Sequence, residues 1–190
     1  MGFVSFLPFY MEQQDRIVIL GAGLSGALLA CFLANRGFLV DIYERRDDMR
    51  KVEMSAGRSI NLALSERGIV SLDAVGLKDE IMQIAVPMKG RMMHDENGKL
   101  TFQSYSKDGN SFIYSVSRGE LNCKLMTLAE RNPNVRIIFS HRCLGVNVKE
   151  GEITLQNEIT KEVKTIKPLT TFACDGAFSA ARTSMLTLPR

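Results

Sequence analysis

A chain of 190 residues is long enough for one substantial core, or for one domain and part of another. With 45% apolar and 24% charged residues it has the composition of a soluble globular protein, which excludes the disordered, collagenous and disulfide-dense classes. The net charge of +3 is spread over mixed-sign stretches such as DIYERRDDMRK (Asp41 to Lys51), and there is no tryptophan for base stacking, so nucleic acid is not expected as a partner.

The cysteines Cys31, Cys123, Cys143 and Cys174 form no C-x-x-C pair, and only His94 and His141 are available to join them as ligands. That pattern predicts a reducing compartment, the cytoplasm, and no metal site. The opening MGFVSFLPFY is apolar but lacks a basic leader, and Met11 offers a second start. Residues 1–15 are therefore expected to be a disordered or misassigned extension rather than an export signal. The longest apolar run, Ala27 to Ala34, falls well short of the roughly 20 residues a spanning helix needs, so no membrane segment is expected.

RIVIL (Arg16 to Leu20) is a β-branched run bounded by glycine, which predicts a strand buried on both faces of a parallel sheet. Small and apolar residues at helical spacing predict a helix over Leu24 to Asn35, stopped by Gly37, and FLVDIY (Phe38 to Tyr43) predicts a second strand. Together they form a right-handed βαβ unit. A polar, irregular stretch follows to Arg58, then helices over Ser65 to Val75 and Leu77 to Ile84. The segments MKGRMMHD, KLTFQSYS and SFIYSVS, separated by ENGK and KDGN, predict a small inserted antiparallel sheet. Leu121, Leu125, Leu128 and Ala129 predict a helix over Arg118 to Arg131, ended by Asn132-Pro133. Strands VRIIF, LGVNV, EITLQ and KEVKTIK come next, the last closing a meander, and PLTTFACDG is read as an apolar strand running into a turn.

Between the first strand and the first helix, LGAGLSG places Gly21, Gly23 and Gly26 as G-x-G-x-x-G. In that context Gly21 permits the tight turn, Gly23 admits a pyrophosphate close to the backbone, and Gly26 lets helix and strand pack closely. The anion meets free N–H groups and the positive end of the helix dipole. Glu44, 18 residues after Gly26 at the end of the second strand, is placed to accept hydrogen bonds from an adenosine ribose. A carboxylate there disfavours a ribose 2′-phosphate, although Arg45 and Arg46 follow it. The fold class is thus α/β with a Rossmann-like dinucleotide-binding unit, and the loop alone leaves FAD and NAD both open.

GRSINLALSERG (Gly57 to Gly68), PMKGRMMHD, IYSVSRGELN and CDGAFSAAR, taken together, resemble the flavin-dependent aromatic hydroxylases, specifically the kynurenine 3-monooxygenases, over about Arg16 to Arg182. The resemblance implies an FAD monooxygenase. In it NADPH reduces the flavin, O₂ adds to give a C4a-hydroperoxide, and one oxygen passes to the ring of L-kynurenine to give 3-hydroxykynurenine. It further implies that Gly21, Gly23, Ser25 and Gly26, with Tyr43, Glu44, Arg45 and Arg46, hold the ADP half of FAD. Ala63 and Arg118 would lie near the cofactor, the backbone of Cys143 on its adenine side, and Asp175 at the flavin–ribityl region. Arg91 and Tyr105 match the pair that grips the substrate carboxylate, a task suited to the bidentate fork of arginine. No side chain carries the chemistry itself.

Members of that family continue further, with a G-D-x-x-H motif and the rest of a substrate sheet. The expectation is therefore an N-terminal part: residues 16–190 as an incomplete FAD-binding domain, with about residues 86–117 contributing part of the substrate sheet. Such a chain is expected to be inactive alone and to self-associate through an exposed truncated face. Two other readings stay open: an FAD monooxygenase for another aromatic acid, and a catalytically dead nucleotide-binding chain.

Overall fold

The computed structural model describes residues 15–51, 60–105 and 112–187. The N-terminal extension up to residue 14, the second half of the polar stretch to Arg58 and the start of the GRSINLALS motif lie outside the described residues. In chain order the elements are β1 (Ile17–Leu20), α1 (Leu24–Ala34), β2 (Val40–Tyr43), β3 (Asn61–Leu64), α2 (Glu66–Asp73), α3 (Lys78–Met82), β4 (Val86–Met88), β5 (Gly90–His94), β6 (Leu100–Ser104), β7 (Ile113–Ser117), α4 (Arg118–Arg131), β8 (Val135–Ile138), β9 (His141–Asn147), β10 (Glu152–Asn157), β11 (Val163–Ile166), β12 (Thr170–Ala173) and α5 (Ala180–Leu186). They divide into two units, one built from Met1–Asp48 with Ala129–Arg190, the other from Met49–Leu128.

The first unit is organised by a four-stranded sheet in the order β12-β1-β2-β8, with every pairing parallel. β1 and β2 are buried at every position, as their apolar sequences require for a sheet covered on both faces. On one face α1 presents Ala27, Ala30, Cys31 and Ala34, small residues that let it lie close to the strands. On the other, Val18, Leu20 and Tyr43 pack with Ile153, Leu155 and Ile166 of the three-stranded meander β11-β10-β9 and with Ala181 of α5. Asp41 lies on the same face as Val18, fully buried. It accepts from Arg16 Nε at 2.7 Å and takes a two-pronged grip from Arg136 at 2.7 and 2.6 Å, tying β1, β2 and β8 together.

The second unit contains the antiparallel sheet β3-β7-β4, the helices α2 and α3, and a separate two-stranded ribbon, β5–β6. Here the structure departs from the expected single small sheet: SFIYSVS pairs as β7 with β3 and β4, not with the ribbon. The pattern of β-prone runs and turns gives strands but not partners, and β7 meets β3 about 50 residues back in the chain. The strand and turn expected in PLTTFACDG are present, and they are followed by a helix, α5, for which the sequence reading had no element. Ser179 caps this helix by accepting from Arg182 N at 2.9 Å.

Candidate functional site

The strand order sets where a ligand can sit. From β1 the chain crosses to β2 on one side, while β12 returns to β1 on the other, so the C-terminal ends of β1 and β12 flank a topological switch point, the usual binding crevice of an open α/β sheet. The glycine loop lies there. Gly21 adopts φ +97°, donates its N–H to Tyr43 O at 2.8 Å, and has no room for a side chain: a Cβ would stand 2.7 Å from Cys174 O. A Cβ on Gly26 would stand 2.0 Å from Gly21 O, so helix and loop interlock at that point. Gly23 is different, for no atom of the described residues lies within 4 Å of where its Cβ would be. It is also the N-cap of α1, with no side-chain cap and no acidic residue in the first turn, which leaves the N-terminal amides open to an anion.

Glu44, 5% exposed at the end of β2, reaches back across this loop. Its Oε2 accepts from Ala22 N at 2.9 Å, and its Oε1 from Arg46 N at 3.0 Å and Arg46 Nε at 2.8 Å. Burial alone would raise the Glu44 pKa, but the hydrogen bonds from Arg46 and Ala22 outweigh it, and the carboxyl is held below its ordinary value. An ionised carboxylate has about four acceptor positions. Among the described residues three are used, which leaves one for a ligand hydroxyl. Beyond Glu44 an open cavity of about 660 Å³ is lined by Arg45, Arg46, Ser140, Arg142 and Ile159, among others. Tyr43 itself is buried, with Lys164 Nζ 5.4 Å from its ring centroid and the His141 ring 5.9 Å away. Ser25 is exposed in the first turn of α1.

The Asp-Gly turn after β12 arrives beside the glycine loop, since Cys174 N donates to Leu20 O at 2.8 Å. Asp175 accepts on Oδ2 from Ala181 N at 3.5 Å, while its Oδ1 is buried without a hydrogen-bond partner among the described residues. Burial pushes the Cys143 thiol up to about 11, with the Gly145 carbonyl working against the rise and the Asp175 charge adding to it. Cys174 is raised for the same reasons, burial first and Asp175 second. Both thiols are therefore neutral and poor nucleophiles.

A family model described as "FAD binding domain" matches residues 15–187. The chain belongs to the FAD-binding domain family. The ligand that the glycine loop left open is thus FAD, and two features of the FAD-binding domain fit it: the space over Gly23 and the orphaned acceptor on Asp175. Among curated relatives, a protein of Anopheles gambiae named kynurenine 3-monooxygenase is 43% identical over 94% of this chain and 37% of its own length. One of the same name from Myxococcus xanthus is 43% identical over 91% of this chain and 37% of its own. The FAD-binding domain thus spans little more than a third of the curated relatives it matches. Among solved structures it is similar to a p-nitrophenol 4-monooxygenase of Pseudomonas putida, with a TM-score of 0.75 and 19% identity over 92% of this chain and 44% of that one. A flavin-dependent monooxygenase solved with FAD and substrate gives a TM-score of 0.76 and 16% identity over 90% of this chain and 32% of that one. These two likenesses establish the fold.

The remaining residues singled out in the sequence lie in the second unit of the FAD-binding domain. Ala63 is exposed in the middle of β3, opposite Ser115, and Arg118 starts α4 with its N–H on Ile60 O at 3.0 Å. Arg91 on β5 faces Gln103 on β6 and donates from Nε to its Oε1 at 2.7 Å. Tyr105 directly follows β6, donates its N–H to Lys89 O at 3.1 Å, and is 45% exposed. Sequence reasoning missed the Ala22 amide as the group that fixes Glu44, which no side-chain motif announces. It also left Ser179 and Arg182 without a role, although the Ser-x-x-Arg spacing after Asp-Gly was a visible helix-start signal. No helix among the described residues is long and apolar enough to cross a membrane.

Proposed function

We propose that this FAD-binding domain serves a monooxygenase that converts L-kynurenine to 3-hydroxykynurenine with NADPH and O₂. The observation that carries the reading is the 43% identity to kynurenine 3-monooxygenases from an insect and a bacterium across more than nine tenths of the chain. FAD, when bound, supplies the chemistry of accepting a hydride and activating O₂. The chain's own part is to bind and orient. The α1 N-terminus at Gly23 and Ser25 receives the pyrophosphate, Glu44 a ribose hydroxyl, and the cavity bounded by Arg45 and Arg46, with the Cys143 backbone, the adenine end. Asp175 accepts from the ribityl chain, and Ala63 and Arg118 lie at the flavin. Arg91, with Nε spent on Gln103, keeps its two terminal nitrogens for the amino-acid carboxylate, which Tyr105 helps to position.

A cytoplasmic setting belongs to the same proposal, supported by four free cysteines. So does self-association, supported by Met92, Leu100 and Phe102, each more than half exposed on one face of the β5–β6 ribbon. The test is NADPH oxidation by the FAD-loaded monooxygenase that this domain serves, rather than by the domain alone, with L-kynurenine, with p-hydroxybenzoate and with no aromatic acid, product being counted by chromatography. Oxidation stimulated by kynurenine and matched by 3-hydroxykynurenine is expected. Stimulation by p-hydroxybenzoate alone, or a rate that no aromatic acid changes, overturns the assignment.

A further inference from the structure

The turn that carries Asp175 is held in an unusual way. Gly176 adopts φ +79°, and the loop from Gly176 to Ser179 leads into α5. Phe178, the one large apolar residue in that loop, is 88% exposed, so burial of its ring does not fasten the loop. The fastening is polar. Arg182 donates from Nη1 to Gly176 O at 3.4 Å and from Nη2 to Ala177 O, while its backbone N–H caps onto Ser179 Oγ at 2.9 Å. Its guanidinium makes no ion pair among the described residues and is exposed, so the two carbonyls immediately after Asp175 are its partners.

Those two carbonyls matter because the carboxylate they adjoin is incompletely paired. Among the described residues, Asp175 Oδ1 is buried without a donor, and Oδ2 has only the long contact to Ala181 N. A buried acceptor left unpaired costs free energy, and a glycine-hinged turn offers an easy way to swing it out to water. We infer that Arg182 is a positioning residue for the cofactor: its fork locks the turn so that Asp175 keeps one carboxylate oxygen free and aimed at a hydroxyl donor of the ribityl chain. Arg182 touches neither the ligand nor the carboxylate. It acts through the backbone of the next two residues.

This separates the flavin half of FAD from its ADP half, which the glycine loop and Glu44 serve. The experiment measures affinity for FAD and for ADP by titration, together with the ligand-free thermal midpoint, in the wild-type chain, Arg182→Ala, Arg182→Lys, Asp175→Ala and the Arg182→Ala/Asp175→Ala double variant. Arg182→Ala is expected to weaken FAD by about tenfold and to leave ADP within about twofold, the size of one charge-assisted contact. Arg182→Lys, which can reach one carbonyl but not both, should fall between. In the Asp175→Ala background, removing Arg182 should cost nothing further. Equal losses for FAD and ADP, additive losses in the double variant, or a wild-type affinity no greater for FAD than for ADP overturn the assignment. If Arg182→Ala lowers the ligand-free midpoint sharply, Arg182→Lys carries the comparison, and an unchanged FAD-to-ADP ratio in it is equally fatal.

Discussion

The three glycines of one loop have three different duties, and their surroundings make them separable. Gly26 has its missing Cβ 2.0 Å from a backbone oxygen, and neither partner is the end of a flexible side chain. Gly26→Ala should therefore destabilise the domain by about 3 kcal/mol, the upper range for overpacking. Gly23 sits at φ −70°, which alanine adopts freely, and its Cβ would meet nothing. Gly23→Ala should leave urea stability within about 0.5 kcal/mol of wild type while weakening FAD by more than about tenfold, because the methyl occupies the space the pyrophosphate needs. Circular dichroism in urea and flavin absorbance after gel filtration read the two effects. A Gly23→Ala protein that retains its flavin would show that the ligand does not approach this loop. At this scale the sequence was informative about position: the three glycines lie on the turn and first helical residues between β1 and α1, as their spacing implies, because a strand, a tight turn and a helix leave few ways to arrange seven consecutive residues, and Glu44 follows β2. Arg46 and the Ala22 amide were illegible, since the shape of their bonds to Glu44 depends on a fold-back that spacing does not encode.

Strands and helices were legible where their own sequence decides them, as in β1, β2 and α4, and illegible where a distant partner decides. β1 pairs with β12 some 150 residues later, and the choice of β7 for β3 over the ribbon is likewise a tertiary matter. Asp41 shows the same limit. In the sequence it belongs to a mixed-sign run, whereas in the structure it is the buried joint of three strands. Its side chain is 1% exposed beside Arg16 at 9%, while Arg136 is 59% exposed. That asymmetry sets unequal costs. Asp41→Ala strands the Arg16 guanidinium in the interior and should cost about 3–5 kcal/mol. Arg136→Ala removes a solvated partner and should cost about 1 kcal/mol, with part of that screened by salt. Urea denaturation at low and high ionic strength checks both values. Equal costs would mean that Arg16 finds its satisfaction in the Val40 and Asn134 carbonyls, to which its Nη2 also donates at 3.2 and 3.1 Å.

Among the described residues burial is very uneven, and that bears on how firmly each element is held under fluctuation. β1 and β2 are buried at all eight positions, with α1 and the meander on either face, so their amides should exchange only on global unfolding. The β5–β6 ribbon is the opposite case: nine of its ten residues are exposed, and both strands are edges. An isolated pair of strands is marginal in water, and here the Phe102 ring folded over Gly90 and the exposed Arg91–Gln103 hydrogen bond add to the ladder. Yet Arg91 and Tyr105, the residues matched to substrate recognition, sit on this ribbon. Hydrogen exchange followed by mass spectrometry should find amides of residues 17–20 exchanging at least about a thousandfold more slowly than those of residues 90–104. The comparison also tests self-association. If the ribbon proves as protected as β1 at high protein concentration and loses that protection on dilution, a second copy covers it. If protection persists on dilution, the ribbon is stable by itself, and the expectation that exposed edges make it the weakest element of the chain is wrong.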